Sequence, residues 1–213
     1  MKEQNVFVLD HIAVAGETLE AAVAYSETVL GMPLGAGGQH AHYATHNRLL
    51  GLADGLYLEA IARDPSQRAP DYPRWFGLDR FAGPPRLDKW ILRCADIAAA
   101  RRAFSEAGAP VHLTRGGLRW TMLVPADGEL PFDGLFPAIL QWHTDTPPGL
   151  ALPARDARLL RLTLSHPDAA SLKARLAGVL DDPRVAFAAA DHPSLAAEIA
   201  TPQGVRTLSR DDG

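Results

Sequence analysis

Charged side chains lie inside short apolar runs of this 213-residue chain, at positions where they could act on a ligand. Glu59 lies in the run Tyr57-Leu58-Glu59-Ala60-Ile61, and strand alternation gives it the same face as its apolar neighbours two residues away. A carboxylate on an apolar face is costly unless it is paired, so this pattern favours a catalytic or ion-paired Glu59. His11, in Leu9-Asp10-His11-Ile12, is as typical of a satisfied core histidine as of a ligand-binding one.

A polar stretch from Gln39 to Arg48 carries histidines at positions 40, 42 and 46. Such a stretch is typical of a half-exposed hairpin, and it is equally typical of a strand that points acid–base groups into a cavity. On the second interpretation, His40 is a candidate acid or base and Asn47 is a candidate hydrogen-bonding catalytic residue.

Aromatic residues and one arginine are further candidates for ligand binding. Trp75 lies in a long proline-rich connector that could close over a ligand, and Trp120 is a candidate cavity wall. Arg115 precedes Gly116-Gly117 and is a candidate contact for an anionic group, although an exposed turn charge is the commoner case.

A repeat must position these residues. Leu9-Asp10-His11 aligns without a gap on Leu87-Asp88-Lys89 when the candidate helix caps Thr18 and Asp96, which are 78 residues apart, are superposed. In both segments a strand, a helix that ends at a glycine, and three more strand-like pieces follow. The sequence therefore predicts two βαβββ modules, at residues 8–62 and 86–145, and units that repeat in this way pack on one another.

A third, shorter segment shows the same pattern of strand and helix. We predict one domain of paired modules at residues 1–148 and a compact third unit at residues 153–213, packed on the same domain and without a metal site. Proline-rich connectors separate the three segments. The third unit is open to two interpretations, since it can pair within the chain or across a homodimer.

Five short elements occur in order in the first module. They are Leu9-Asp10-His11-Ile12, the helix to Leu30-Gly31, Gly37-Gly38-Gln39-His40, Ala44-Thr45-His46-Asn47 and Tyr57-Leu58-Glu59. Together they resemble the N-terminal module of glyoxalase-like proteins, which belong to the vicinal oxygen chelate superfamily of glyoxalases, bleomycin-resistance proteins and dioxygenases. The resemblance covers roughly residues 8–145, and Ala44 stands where the family usually carries glycine.

The resemblance implies an α+β fold in which repeated βαβββ modules form curved, open-barrel sheets around a ligand cavity. It also implies a lane of possible ligands on the first and last strands of each module: His11, Glu59, Lys89 and Gln141. Its motif favours His40, Thr45 and Asn47 as cavity residues.

A divalent metal such as Zn, Mn, Fe or Ni is one expectation for that lane. His11 and Glu59 are suitable ligands, with His143 as a third or Gln141 as a weaker one. Lys89 cannot ligate while it is protonated, because an ammonium group only donates. The alternative is that Lys89 pairs with Glu59 or binds an anionic group of the substrate, with no metal present.

Two functions remain open on these grounds. One is an enzyme, a metal-dependent lyase, isomerase, hydrolase or dioxygenase-like protein, that acts on a small oxygenated metabolite. The other is a non-catalytic, resistance-type protein that binds a small anionic molecule in the same cavity. Metal analysis of the purified protein would separate the two.

Composition narrows the partners. The net charge is −4 without a basic cluster, which argues against nucleic acid. The first apolar stretch is cut by Asp10 after four residues, too short for a signal peptide or a membrane span, so a cytoplasmic location is expected. The single cysteine, Cys94, cannot form an internal disulfide.

Overall fold

A computed structural model describes residues 7–153 and 156–210, so the predicted domain limits at residues 1 and 213 lie outside the described residues. The first module contains β1 (Val8–Ala15), α1 (Leu19–Leu30), β2 (Gly35–His40), β3 (Thr45–Gly51) and β4 (Tyr57–Arg63). The second contains β5 (Arg86–Arg93), α2 (Ile97–Ala103), β6 (Ala109–Arg115), β7 (Leu118–Val124) and β8 (Ala138–Trp142). The short helix α3 (Pro148–Ala151) lies in the connector before the third segment, which contains β9 (Arg158–His166), α4 (Ala169–Leu176), β10 (Val185–Ala189), β11 (Ser194–Thr201) and β12 (Gly204–Ser209).

The two modules form one curved, eight-stranded sheet with the order β2-β3-β4-β1-β5-β8-β7-β6. They join through their first strands, β1 and β5, which pair antiparallel, and each first strand pairs parallel with the last strand of its own module. The predicted α+β class and the paired βαβββ architecture are confirmed, and β1 and β5 are offset by the same 78 residues as the helix caps.

The predicted helix caps explain why both modules start alike. The Thr18 side-chain oxygen accepts a hydrogen bond from the Ala21 amide at 3.2 Å, and Asp96 accepts one from Ala99 at 2.9 Å. These bonds satisfy amides that a helix leaves without an intrahelical partner. Gly31 then ends α1 in the left-handed conformation, with a φ of 65°.

Residues 41–44 form a turn, so the predicted strand from Gln39 to Ala44 is wrong beyond His40. Ala44 has a φ of 47°, a left-handed conformation that favours glycine. This backbone angle is a physical reason for a glycine at that position. The turn also breaks the side-chain alternation expected along residues 40–46.

The pairing of β1 with β5 carries two bulges, one on each strand. Leu9 pairs with Leu92 and His11 with Ile91, so Asp10 is an extra residue on β1. On β5, Lys89 and Leu87 face consecutive residues of β1, so Asp88 is the extra residue. A bulge redirects side chains locally, and here it breaks the strict alternation of both strands at equivalent positions.

The third segment has the order of elements predicted for a βαβββ unit but a different sheet. Its strands run β10-β9-β11-β12, with the first strand inside the sheet instead of at one end. β11 and β12 pack against β5, and the Tyr25 hydroxyl of α1 contacts the Ser209 backbone. The division into domains at residues 148 and 153 stays a prediction. Across residues 7–153 and 156–210, no helix combines the length and the apolar character that a membrane crossing needs.

Candidate functional site

A narrow cavity lies on the concave face of the eight-stranded sheet. Its volume is only about 30 Å³, so in this form it admits only a few ligand atoms. Its polar lining is His11, His40, Asn47, Tyr57, Glu59 and Arg115. Its apolar lining is Trp75, Phe76, Trp120, Met122, Leu140 and Trp142.

A chain of ionisable groups crosses the wall formed by β1 and β4. At the bulge the Asp10 and His11 side chains meet, and an Asp10 carboxylate oxygen lies 2.7 Å from His11 Nδ1. On the other side of the ring, His11 Nε2 lies 3.5 Å from Glu59 Oε2. All three side chains are buried. His11 thus stands between two carboxylates, with its Nε2 atom on the cavity side.

Burial and pairing act in opposite directions on these pKa values. Burial alone would lower the pKa of His11, but the bonds to Asp10 and Glu59 outweigh it and raise this pKa above its ordinary value. For Glu59, burial opposes ionisation, yet the contacts with His11, His40 and Asn47 lower its pKa to about 2. The pKa of Asp10 is also lowered, against the effect of burial. The arrangement therefore favours an imidazolium held by two carboxylates.

Asn47 is held in one orientation by its neighbours. Its Oδ1 accepts hydrogen bonds from the Gly38 amide and from Arg115 Nη1, each at 2.9 Å. Because that oxygen faces donors, the amide nitrogen is the atom that donates to Glu59 Oε1, at 2.5 Å. Asn47 thereby links the carboxylate of the first module to the arginine of the second.

His40 is a neutral histidine whose tautomer follows from its partners. Arg115 can only donate, so His40 Nε2, 2.9 Å from Arg115 Nη1, is the accepting nitrogen. The proton then lies on Nδ1, which is 3.0 Å from Thr45 Oγ1. Burial lowers the pKa of His40 to about 4. The two histidines of the cavity are therefore shifted in opposite directions.

The glycine pair on β2 allows two close approaches. A Cβ on Gly37 would lie 1.9 Å from the backbone oxygen of Asn47, which the strand pairing holds in place. A Cβ on Gly38 would instead lie 2.9 Å from Cδ of Arg115. Gly37 therefore admits the neighbouring strand, and Gly38 admits the arginine side chain.

Aromatic rings close the cavity from two directions. Trp75 and Phe76 come from the connector between the modules, and Trp75 stacks on Tyr43 with ring centroids 4.6 Å apart. Phe76 has a φ of 61°, a strained backbone angle for a phenylalanine. Trp120 and Trp142, 5.5 Å apart, form the opposite wall. Among the described residues, the buried Trp75 indole N–H has no hydrogen-bond partner.

The structure brings most of the predicted site residues together. Thr45 lies behind His40 as its hydrogen-bond partner. Of the other candidates, those that line the cavity are His11, His40, Asn47, Glu59, Trp75, Arg115 and Trp120. The sequence analysis missed Asp10 and Tyr57, and His11 stacks on the Tyr57 ring at 4.3 Å. The repeated Leu-Asp pair before His11 and Lys89 was the available signal for Asp10.

Three predicted residues lie away from the cavity. Lys89 is buried against Asp88, at the bulge of β5. The Gln141 side chain binds the Ile97 amide and the Ala95 carbonyl at the start of α2, and His143 Nε2 lies 2.7 Å from Thr121 Oγ1. Leu140 and Trp142 of β8 face the cavity. Because side chains alternate along a strand, Gln141 and His143 point to the opposite side of the sheet.

The donor set does not fit a divalent metal. A protein site for such an ion commonly supplies at least three ligands. Of the predicted ligands only His11 and Glu59 meet, and the described part of the chain contains no group of three or more histidine, cysteine or acidic side chains arranged to hold a metal. Lys89 does not pair with Glu59 either.

The fold and the cavity define an open-barrel protein of paired βαβββ modules. The sequence model of the glyoxalase-like domain matches residues 9–180, and the chain belongs to this family of the vicinal oxygen chelate superfamily. The comparison with curated proteins gives no match.

Solved structures with a similar fold include a hypothetical protein from Staphylococcus aureus. The identity is 13%, the match covers 98% of this chain and 86% of that one, and the TM-score of 0.56 shows a likeness of fold alone. Methylmalonyl-CoA epimerase from Mycobacterium tuberculosis is 21% identical, with 63% of this chain and 85% of that chain covered and a TM-score of 0.41. A methylmalonyl-CoA epimerase in complex with methylmalonyl-CoA and NH4+ is 19% identical, with 70% and 99% covered and a TM-score of 0.44.

Proposed function

We propose that this glyoxalase-like protein is an enzyme that transfers a proton on a small oxygenated metabolite, at a carbon next to a carbonyl group. The observation that carries the proposal is the Asp10–His11–Glu59 chain, which ends in a buried and largely apolar cavity. Isomerases and lyases both use such a step, so the proposal covers both types of reaction.

Glu59 is the proposed base and His11 the proposed acid. The distance of 3.5 Å between His11 Nε2 and Glu59 Oε2 is longer than an ordinary hydrogen bond. A carbonyl oxygen that enters the cavity can therefore replace Glu59 as the acceptor of the N–H group of His11. Glu59 then loses its closest cation contact inside an apolar cavity, and this loss raises its basicity. Developing negative charge on the carbonyl oxygen is stabilised by His11, which Asp10 keeps charged.

The surroundings support the same reaction. His40 is neutral and turns its accepting nitrogen to Arg115, so it does not compete with His11 as the cationic partner of Glu59. The tryptophan walls make the surroundings of the charges less polar than water, which strengthens charge interactions in the cavity. The narrow cavity also favours a compact substrate, or a longer one that inserts only its reacting end.

The rival function is a non-catalytic binder. It is favoured by the extent to which the polar groups already satisfy one another, since Asn47 alone engages Gly38, Arg115 and Glu59. A binder needs the same cavity but no proton acceptor.

Proton exchange in D2O tests the proposal without knowledge of the overall reaction. A panel of small 2-oxo acids, their methyl esters and hydroxyketones is incubated with the protein, and loss of the C–H signal next to the carbonyl is followed by proton NMR. We expect exchange with at least one compound, and its loss by at least about 100-fold in Glu59→Gln, which keeps the shape and removes the base.

Glu198→Gln is the matched control, because Glu198 is exposed on β11. It should leave exchange unchanged. Binding of panel compounds without exchange would favour the binder, and exchange that survives in Glu59→Gln would remove Glu59 from the mechanism. Exchange should also persist after dialysis against a chelator. Loss that one divalent ion restores would establish a metal that the donor set did not predict.

A further inference from the structure

Arg115 bridges the two ends of the open barrel. It is the last residue of β6, and its side chain reaches across to β2 and β3 at the opposite end of the same sheet. Its stem lies against Gly38, and its Nη1 atom donates to His40 Nε2 and to Asn47 Oδ1. The arginine is therefore held in place at the cavity by residues of the first module.

The charge of Arg115 has no counter-ion among the residues that the structure describes. No carboxylate oxygen of those residues lies within salt-bridge distance of it, and both of its hydrogen bonds go to neutral atoms. The cavity carboxylates are engaged elsewhere, Asp10 with His11, Trp142 and Arg93, and Glu59 with His11 and Asn47. A partly buried cation without a counter-ion is unfavourable, and an anionic ligand removes that cost.

The guanidinium also has unused donors. Both bonds within the protein leave from Nη1, while Nε and Nη2 donate to no described residue. A guanidinium with a free edge matches a carboxylate, because two parallel N–H groups meet its two oxygens.

Asn47 sets the spacing between this cation and the proposed base. One face of its amide binds Arg115 and the other binds Glu59, so a single side-chain amide separates the two. A group held by Arg115 must therefore lie within a few bonds of the carbon that Glu59 reaches. We infer that the substrate is a short oxo acid, whose carboxylate is bound by Arg115 and lies one or two carbons from the reacting carbon. This inference rests on the proposed function and deepens it.

Pairs of probes that differ only in the charge of the carboxylate test whether Arg115 binds that charge. Saturation-transfer NMR measures binding of 2-oxo acids with three to six carbons and of their neutral methyl esters. We expect the acids to bind and the esters to bind at least about 10-fold more weakly, since a hydrogen bond to a charged group has this order of effect. Arg115→Gln should weaken acid binding by about 10- to 100-fold and should weaken ester binding much less, because the ester has no charge for Arg115 to bind. Arg115→Lys should recover only part of the loss, because a lysine lacks the planar fork.

Two controls separate this effect from damage to the fold. Arg119→Gln removes a neighbouring exposed arginine on β7 and should change nothing. Gly38→Ala leaves every charge in place but puts a Cβ 2.9 Å from Cδ of Arg115, so it should weaken acid binding alone. Gly117→Ala is its matched control, because a Cβ there meets no heavy atom within 4 Å.

The outcomes distinguish this inference from the proposed function. Equal binding of acids and esters, or acid binding that is unchanged in Arg115→Gln, overturns the carboxylate, while Glu59-dependent exchange would still support the proton transfer. Arg115-dependent binding of acids without any exchange supports the carboxylate and overturns the enzyme. If no acid of the panel binds, the inference is wrong.

Discussion

The two modules carry a bulge at equivalent positions of their first strands, but the residues at the two bulges make different contacts. On β1 the extra residue is Asp10, which binds His11 at the cavity. On β5 it is Asp88, which binds Lys89 away from the cavity. Around Asp88 lie Arg86 at 3.6 Å and Arg210, which follows β12 of the third segment, at 3.9 Å.

One repeated Leu-Asp-X motif has thus given a carboxylate–imidazole pair at the cavity in one module and a carboxylate–ammonium pair away from it in the other. The first module supplies the acid–base groups of the cavity, whereas Arg115 is the one polar lining residue that the second module contributes. Both strands carry the bulge at the equivalent aspartate, and the modules differ in the residue that follows it, His11 on β1 and Lys89 on β5. The comparison can be tested by changing each side separately.

The largest effect is expected from Asp88→Asn. It leaves the buried Lys89 without its carboxylate and weakens the contacts of Arg86 and Arg210, so the free energy of unfolding should fall by about 3–5 kcal/mol. Urea denaturation measures the change, and Asp145→Asn, at an exposed position, is the control. Proton exchange by the remaining folded protein should not change. A variant that keeps its stability but loses exchange would reverse the roles assigned to the two aspartates.

His40 should make the first module sensitive to acid. Its pKa of about 4 in the fold is below the ordinary value of 6.5, so the unfolded chain binds the proton first as the pH falls. This contribution to stability is complete above pH 6.5 and is lost as the pH falls to 4, by at most about 3 kcal/mol. Urea denaturation at pH 7 and pH 4.5 should show a smaller acid loss in His40→Gln than in the parent protein. Equal losses would mean that His40 titrates normally.

Asp10→Asn is expected to act on the reaction. The amide keeps the shape, but it no longer favours the charged imidazole, so the exchange rate should fall by about 10- to 100-fold. The change is measured by the NMR exchange assay, and the pH of half-maximal exchange should move down, because the pKa of His11 loses a cause of its rise. A lower rate with an unmoved pH profile would point to a merely structural role for Asp10.

The smallest effect is expected on the apolar wall of the second module. Met122→Leu preserves volume, so it should cost less than about 1.5 kcal/mol of stability. The exchange rate should stay within about twofold of the parent protein, since no charge changes. A loss as large as that of Asp10→Asn would show that this apolar wall does more than shape the cavity.

The sequence predicted the architecture well because local signals agreed with one another. Thr18, Asp96 and Gly31 mark helix ends by their side chains or backbone freedom, and the offset of 78 residues joins strand and helix in both modules. The first-module cavity residues were also predictable in position, since Glu59 was the costly charge on an apolar face. Their catalytic roles stay predictions.

The second-module positions were not predictable from one strand at a time. Alternation pairs Gln141 with His143 correctly, yet it cannot tell which face of β8 lies inside the barrel. The positions of Asp10, which was not predicted to contact the cavity histidine, and of Lys89, which was predicted at the cavity, were wrong for a related reason. A bulge changes the direction of side chains through the pairing of two strands, and neither strand's own sequence reveals it.

The connector between the modules carries a wall of the cavity, and this has a consequence for how such a fold can be rearranged. Trp75 and Phe76 belong to neither module. The Gly77 amide that follows them donates a hydrogen bond of 2.9 Å to the backbone oxygen of Gly128, in the β7–β8 loop, and so fixes this segment on the second module. A circular permutation cut within residues 64–85, or a gene in which the modules exchange order, would keep the pairing of β1 with β5. Either change would leave one end of the aromatic segment untethered, so in this protein the order of the two modules helps to shape the candidate site.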